Sequence, residues 1–333
     1  MVQAGPVTGR EDGAAAAAAP AAIPAAPLAR RRRTRWHIAV FLAPATLIYS
    51  VFMIYPLLDS LWMSFFRGTP EGGAVFVGLR NHITLLTDEL WAGQFFNALK
   101  NNLMFFAIHM LVKNPIGILL AALLSTRRLR FRGAYRTLLF LPTMLSVVVV
   151  GFIWQLILSP VWGVAESMLS AVGLGDLFQP YLGREGSALI TLSLISVWQY
   201  IGIPMLLIYA ALLAIPDDLI DAAAVEGATG WDIFWKIKLP LVMPTIGTVS
   251  VLTFVGNFNA FDLIYATQGA LAGPNFSTDL LGTFFYRTFF GNQLQLGDPY
   301  MGATVATGMF AVILLGILVY LTQIRPRIQT YEL

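Results

Sequence analysis

Six separate runs of this chain are apolar over about twenty residues or more, near 37–62, 99–125, 137–159, 187–214, 241–262 and 300–323. That pattern leaves little freedom. A helix needs roughly 20 apolar residues to cross the hydrocarbon of a bilayer, and in that medium every backbone amide must find its partner inside the protein. The expected class is an all-α membrane protein with six transmembrane helices. Composition agrees, since 57% of the 333 residues are hydrophobic and 12% are charged, about half the charge of a soluble domain. Cysteine is absent, which excludes disulfides and thiolate metal sites. The net charge of +3 is not a nucleic-acid footprint, because the arginines cluster beside apolar runs.

Those basic residues orient the spans. Arg30, Arg31, Arg32, Arg33 and Arg35 precede the first span. Arg127, Arg128, Arg130, Arg132 and Arg136 separate the second from the third. Lys236 and Lys238 separate the fourth from the fifth, and Arg325 and Arg327 follow the sixth. The opposite loops hold Arg67, Arg80, Arg184 and Arg287. Both termini are therefore expected in the cytoplasm. Residues 1–35, rich in Ala and Pro, are expected to form a disordered tail ending in the basic cluster. Residues 36–325 form the six-span domain, and 326–333 a short cytoplasmic tail.

Reaction chemistry is missing. A phosphate-binding G-x-x-x-x-G-K-[ST] loop needs Lys followed by Ser or Thr. Here Lys100 and Lys113 precede Asn, Lys236 precedes Ile and Lys238 precedes Leu. His37, His82 and His109 are scattered, and neither H-E-x-x-H nor G-x-S-x-G occurs. No catalytic residue, no metal ligand and no cofactor of its own is expected, and the chain does not read as an enzyme.

One polar island interrupts the apolar chain, from Asp221 to Pro244. Asp217 and Asp218 follow Pro216, where a helix start favours negative charge. Ala222, Ala223 and Ala224 are strong helix formers. Gly227 suits a helix end, and a side chain there is expected to clash or distort the turn. Thr229 with Asp232 reads as a capping box for a second helix, and Pro240 and Pro244 fit near the start of the next segment. Phe234, Trp235 and Ile237 are expected to pack the second helix against the membrane domain.

The same stretch resembles the EAA loop of permease subunits of binding-protein-dependent ABC importers. Ala222, Ala223, Gly227, Ala228, Phe234, Ile237, Pro240 and Pro244 fall in register with that pattern. Asp221 stands for its Glu and Glu226 for its Asp, and both exchanges keep the charge. Phe76-Val77-Gly78-Leu79-Arg80-Asn81-His82 is similar to the F-x-G-L-x-N-Y stretch of the sugar-type branch, with His82 in the Tyr position. Asp262 to Gly269 resembles the segment leaving its fifth span, although the nearest Gly-Pro, Gly273-Pro274, comes four residues late. The resemblance covers about 36 to 325.

It implies the type I ABC importer permease fold, in the cytoplasmic (inner) membrane of a bacterium or archaeon. The loop 215–244 would dock on an ATPase subunit and act as a lever, with Asp221 and Glu226 open to charged contacts or simply solvated. The implied partners are a second, different permease, two ATPase subunits that hold ATP and Mg, and an extracytoplasmic solute-binding protein. The implied cargo is a sugar or oligosaccharide, with glycerol-phosphate or a polyol as the near alternative. A self-contained ion-coupled carrier or channel is the alternative of a different class. It would make Lys113 and Asp262 coupling charges, but it has no use for an ATPase-docking loop.

Polar groups inside spans are costly and face a cavity or a partner. Trp154, Gln155, Trp198, Gln199, Tyr200, Asn257, Asn259 and Asp262 are candidates for the substrate path, since aromatic faces beside amides suit a sugar. Packing between helices is the plainer reading of the same residues. Lys113, near the middle of span two and beside Asn114 and Pro115, lines the path, bonds carbonyls freed by Pro115, or snorkels.

Overall fold

The computed structural model describes residues 36–126, 129–293 and 295–328. The expectations for the tail 1–35, for Arg127 and Arg128, and for the end of the short tail beyond 328 lie outside the described residues. The chain forms two compact units, Met1–Val51 and Phe52–Leu333. In the first, the described chain is the apolar helix Trp36–Tyr49 and the turn that continues it.

Among the described residues four helices are long and apolar enough to cross a bilayer: Ile38–Met63, Glu89–Ser125, Gly230–Gln268 and Pro299–Arg327. Two bent pairs add to them. Arg132–Met144 meets Val147–Ile157 at 95°, and Glu185–Tyr200 meets Gly202–Leu213 at 41°. Counting each pair as one span gives six, in the places the apolar runs predict. Between the first two spans Phe66–Gly68 pairs antiparallel with Ala74–Phe76, and the helix Arg80–Thr87 follows. Asn81 ties the hairpin down, its Nδ2 donating to the carbonyls of Ser64 (3.1 Å) and Phe66 (2.6 Å).

Among the described residues four segments are π-helix: Ser50–Ile54, His109–Lys113, Phe234–Lys238 and Tyr320–Ile324. Each ends two residues before a proline: Pro56, Pro115, Pro240 and Pro326. Proline lacks an N–H, and its ring crowds the carbonyl four residues back. In three of the segments the residue before the proline donates to the carbonyl five residues behind it: Asn114 to His109, Leu239 to Phe234 and Arg325 to Tyr320. The widened turn lets these helices run on past a residue that would otherwise break them.

The sharp bend of the third span has a different resolution. Pro142 lies in a short 3₁₀ turn, Leu141–Met144, and Leu145 after it is extended. Gln199 of the fourth span donates through Nε2 to the Leu145 carbonyl (3.1 Å). Thr143 Oγ1 donates in return to the Gln199 carbonyl (3.1 Å). The two spans approach so closely that a Cβ on Gly202 would lie 2.9 Å from Phe140 Cα, so a small residue is required there.

The segment between spans five and six is anchored on span two. Asn102, fully buried, donates to the Asn257 carbonyl (2.9 Å) and accepts from the Leu281 N–H (2.7 Å). Asn101 Nδ2 donates to the Asp279 carbonyl (3.0 Å), and Asn97 Nδ2 to that of Phe276 (2.9 Å). Arg287, read from sequence only as one of the sparse arginines of the outer loops, is buried. Its Nη1 lies 2.6 Å from Asp279 Oδ1, with the two side chains 2% and 0% exposed. Nη2 donates to Gln94 Oε1 (3.2 Å), and the guanidinium sits over the rings of Phe276 and Phe284. Burial pushes the Asp279 carboxyl up from its ordinary value, while Arg287 and a bond from Thr283 pull it back. Leu85, Phe95, Phe258, Leu281, Phe284 and Met301 pack around this polar knot.

Removing one member of a buried pair strands the other. Arg287→Ala or Asp279→Ala alone is expected to cost about 3–5 kcal/mol. Arg287→Ala combined with Asp279→Ala is expected to cost less than the sum of the singles. Unfolding in detergent, followed by circular dichroism, checks both. Additive losses would mean that the two groups do not act as a pair.

Candidate functional sites

The loop of residues 215–244 is built from two helix ends set back to back. The helix Asp217–Val225 begins with Asp217 and Asp218 in its first turn. It ends in a Schellman motif. Ala228 N–H donates to the Ala223 carbonyl (3.0 Å), Gly227 N–H to that of Ala224 (3.1 Å), and Gly227 has φ +87°. That arrangement favours glycine at the left-handed position. Thr229 then caps the next helix reciprocally with Asp232: the Asp232 N–H donates to Thr229 Oγ1 (3.2 Å) and the Thr229 N–H to Asp232 Oδ2 (3.3 Å). Lys236 Nζ lies 2.6 Å from Asp232 Oδ1. Asp221, Ala222, Glu226 and Gly227 are exposed, and Ala223 and Ala228 are half-buried.

Three local expectations change. A Cβ on Gly227 would meet nothing within 4 Å, so the constraint there is the positive φ and not a clash. The second helix is not a separate short element. Gly230–Ile233 runs through the π turn Phe234–Lys238 into Leu239–Phe258, with Pro240 at the junction and Pro244 inside the helix. Trp235 does not pack inward. It is 48% exposed and lies 5.4 Å, ring to ring, from Trp231, which is 71% exposed. Phe234 and Ile237 are half-buried and Ile233 is buried, so the inward face of this helix is set by Ile233 rather than by Trp235.

A cavity of about 340 Å³ lies within Phe52–Leu333, among spans two, four and five, with Val147 of span three at its edge. Three stripes at helical i, i+4 spacing contribute to its wall: Phe105, His109 and Lys113; Ser196, Tyr200 and Pro204; Val249, Thr253 and Asn257. Asn259 and Asp262 lie at the rim and are exposed, whereas Lys113 and Asn257 are buried. Lys113 is 12 residues before Ser125, where the second span ends, which places it roughly 18 Å along the helix from that end.

Five of the substrate-path candidates therefore share one cavity: Lys113, Tyr200, Asn257, Asn259 and Asp262. Trp154, Gln155, Trp198 and Gln199 are not in its lining. Gln199 bonds the bent third span as described, and Gln155 Nε2 donates to the Thr267 carbonyl. Trp154 and Trp198 meet edge to face with centroids 5.7 Å apart.

His109 and Ser196 join the lining without having been singled out from the sequence. The spacing of four between His109 and Lys113, and between Ser196 and Tyr200, was the available signal. His109 Nδ1 faces the Phe105 carbonyl (2.8 Å), which can only accept, so that nitrogen carries the hydrogen. Nε2 then accepts from Ser196 Oγ (3.0 Å). Among the described residues no group of three or more His, Cys, Asp or Glu side chains is placed to hold a metal ion.

A substitution pair tests the loop geometry. Gly227→Ala is expected to cost about 1–2 kcal/mol of local stability through the left-handed backbone. Gly230→Ala, at a helical position with equally open surroundings, is expected to be neutral or stabilising by up to about 1 kcal/mol. Amide hydrogen exchange over the loop checks this. Equal protection in the two variants would remove the argument from φ.

The family described as binding-protein-dependent transport system inner membrane component matches residues 113–327. The chain is 30% identical over 260 residues to the probable ABC transporter permease protein YurN of Bacillus subtilis (strain 168), covering 77% of this chain and 86% of that one. It is 30% identical over 257 residues to the lactose transport system permease protein LacF of Rhizobium radiobacter, covering 75% and 82%. Among solved structures it is similar to a chain of a bacterial alginate ABC transporter in complex with an alginate pentasaccharide-bound periplasmic protein. The TM-score is 0.72 and the identity 26%, over 89% of this chain and 96% of that chain.

Proposed function

The chain belongs to the family of binding-protein-dependent transport system inner membrane components, and from that footing we propose that it is one of two different permease subunits of an importer for a sugar or oligosaccharide. It is a multi-pass membrane protein and a transport component rather than an enzyme. The proposed setting is a bacterial or archaeal cytoplasmic membrane, with both termini and the loop 215–244 on the cytoplasmic side. Two ATPase subunits that bind ATP and Mg, and a solute-binding protein outside, complete the assembly. A carbohydrate cargo is favoured by its relatives, one a lactose transport system permease and one a chain of an alginate ABC transporter.

The observation that carries the coupling role is the exposed double cap at Gly227. The Schellman end closes a short helix, Asp217–Val225, and the Thr229 capping box opens the next one, so the turn between them is both fixed and exposed. Asp221 and Glu226 stand exposed there for contacts with an ATPase, and Val225 is 90% exposed beside them. Behind the loop, helix Gly230–Phe258 leads directly to the cavity, whose residues Lys113, Tyr200, Asn257, Asn259 and Asp262 form the proposed solute path. A movement of the loop would reach the cavity through that helix.

The test is co-purification. The tagged chain is recovered from native membranes in mild detergent beside Gly227→Asp, and bound proteins are identified by mass spectrometry. A Walker-A ATPase is expected with the wild type and is expected to fall severalfold in the variant. No ATPase with the wild type, together with uptake that persists without ATP, would end the importer reading.

A further inference from the structure

The cavity wall holds donors that lack acceptors. Lys113 is 7% exposed and lines the cavity, yet among the described residues it makes no ion pair and no hydrogen bond. Asn257, 6% exposed, also lines it, and its Nδ2 is buried without a partner. The neighbouring groups are already engaged. His109 is held between the Phe105 carbonyl and Ser196, and Asn114 Oδ1 accepts from Thr253 Oγ1 (3.3 Å). Asp262, the carboxylate of the lining, is exposed at the rim, where water can solvate it. The buried end thus presents the Lys113 ammonium with no acceptor from the described residues, while Asn257 Nδ2 lies behind the wall, also without one. An uncompensated cation at such depth is costly, and a group that brings negative charge and acceptor oxygens removes that cost.

We propose that the solute admitted to this cavity carries an anionic group, a uronate carboxylate or a phosphate ester, which Lys113 receives in transit. The proposal rests on the importer reading and narrows its cargo from saccharides in general to acidic ones, or to a phosphorylated polyol. The volume is of the order found for small-molecule sites. The aromatic side chains of Phe105, Tyr200 and Phe261 leave apolar wall for the C–H faces of a sugar ring.

The complex recovered through the tagged chain, placed in lipid nanodiscs, is titrated calorimetrically with three probes: digalacturonate, sn-glycerol 3-phosphate and maltose. Wild type, Lys113→Gln and Lys113→Arg are compared. At least one anionic probe is expected to bind wild type and Lys113→Arg, and to bind Lys113→Gln tenfold or more weakly. The identity of that probe distinguishes carboxylate from phosphate ester. Maltose is expected to bind more weakly than that probe and to be indifferent to the charge.

Four outcomes would overturn the proposal: no binding of either anion, anion binding unchanged in Lys113→Gln, equal loss in Lys113→Arg, or maltose bound as tightly as the anions. A fifth would do so as well. If Lys113→Gln lowers recovery of the second permease with no probe present, the counter-charge belongs to that subunit. Recovery of the ATPase with the wild type reports on the importer reading separately, so failure of one is distinguishable from failure of the other.

Discussion

Backbone carbonyls at bends and breaks in these helices accept from side-chain amides of other spans. Gln199 serves Leu145 where the third span turns, Gln155 serves Thr267, and Asn102 serves Asn257 just before the fifth span's helix stops at Phe258. Asn101 and Asn97 do the same for the segment before Leu281. In hydrocarbon there is no water to take these bonds, so a bent span is possible only where such a partner is built in. The architecture around the cavity depends on this supply of amides. Straight helices would need none of them, and they would leave no recess among spans two, four and five.

Proline is accommodated by a second device of the same kind. A single widened turn ahead of Pro115 or Pro240 keeps the helix going while the proline occupies a position that an α-helix would reject. Lys113 closes one of these turns. Its place in the cavity wall follows from a local backbone adjustment as well as from its position in the sequence.

The spans were legible because a run of twenty apolar residues has few other uses, and the loop was legible because its signals are local. Gly227, Thr229 and Asp232 act on neighbours within a few residues, so their spacing predicts both caps. The bonds that shape the spans are of another sort. Gln199 and Leu145 are 54 residues apart, and Asn101 and Asp279 are 178 apart. Nothing near Gln199 distinguishes an amide that will meet a carbonyl from one that will face a solute, and the same holds for Gln155. Arg287 was visible as a charge, but its pairing with Asp279 required the fold. The exposure of Trp235 was hidden for a related reason, since its neighbours Ile233 and Ile237 present the same apolar character to a sequence reading.

The helix that starts at Gly230 reaches Asn257 without interruption, a distance of roughly 40 Å at 1.5 Å per residue. A stiff rod of that length converts tilt into displacement. Rocking it by ten degrees about its midpoint carries each end through roughly 3.5 Å, half the length multiplied by the tangent of the angle. The Asn102–Asn257 bond, 2.9 Å long, has a working range of only a few tenths of an ångström. Tilts of about one degree would be absorbed, whereas a larger swing must trade that bond for another. The far end of the rod therefore behaves as a latch with a threshold rather than as a spring.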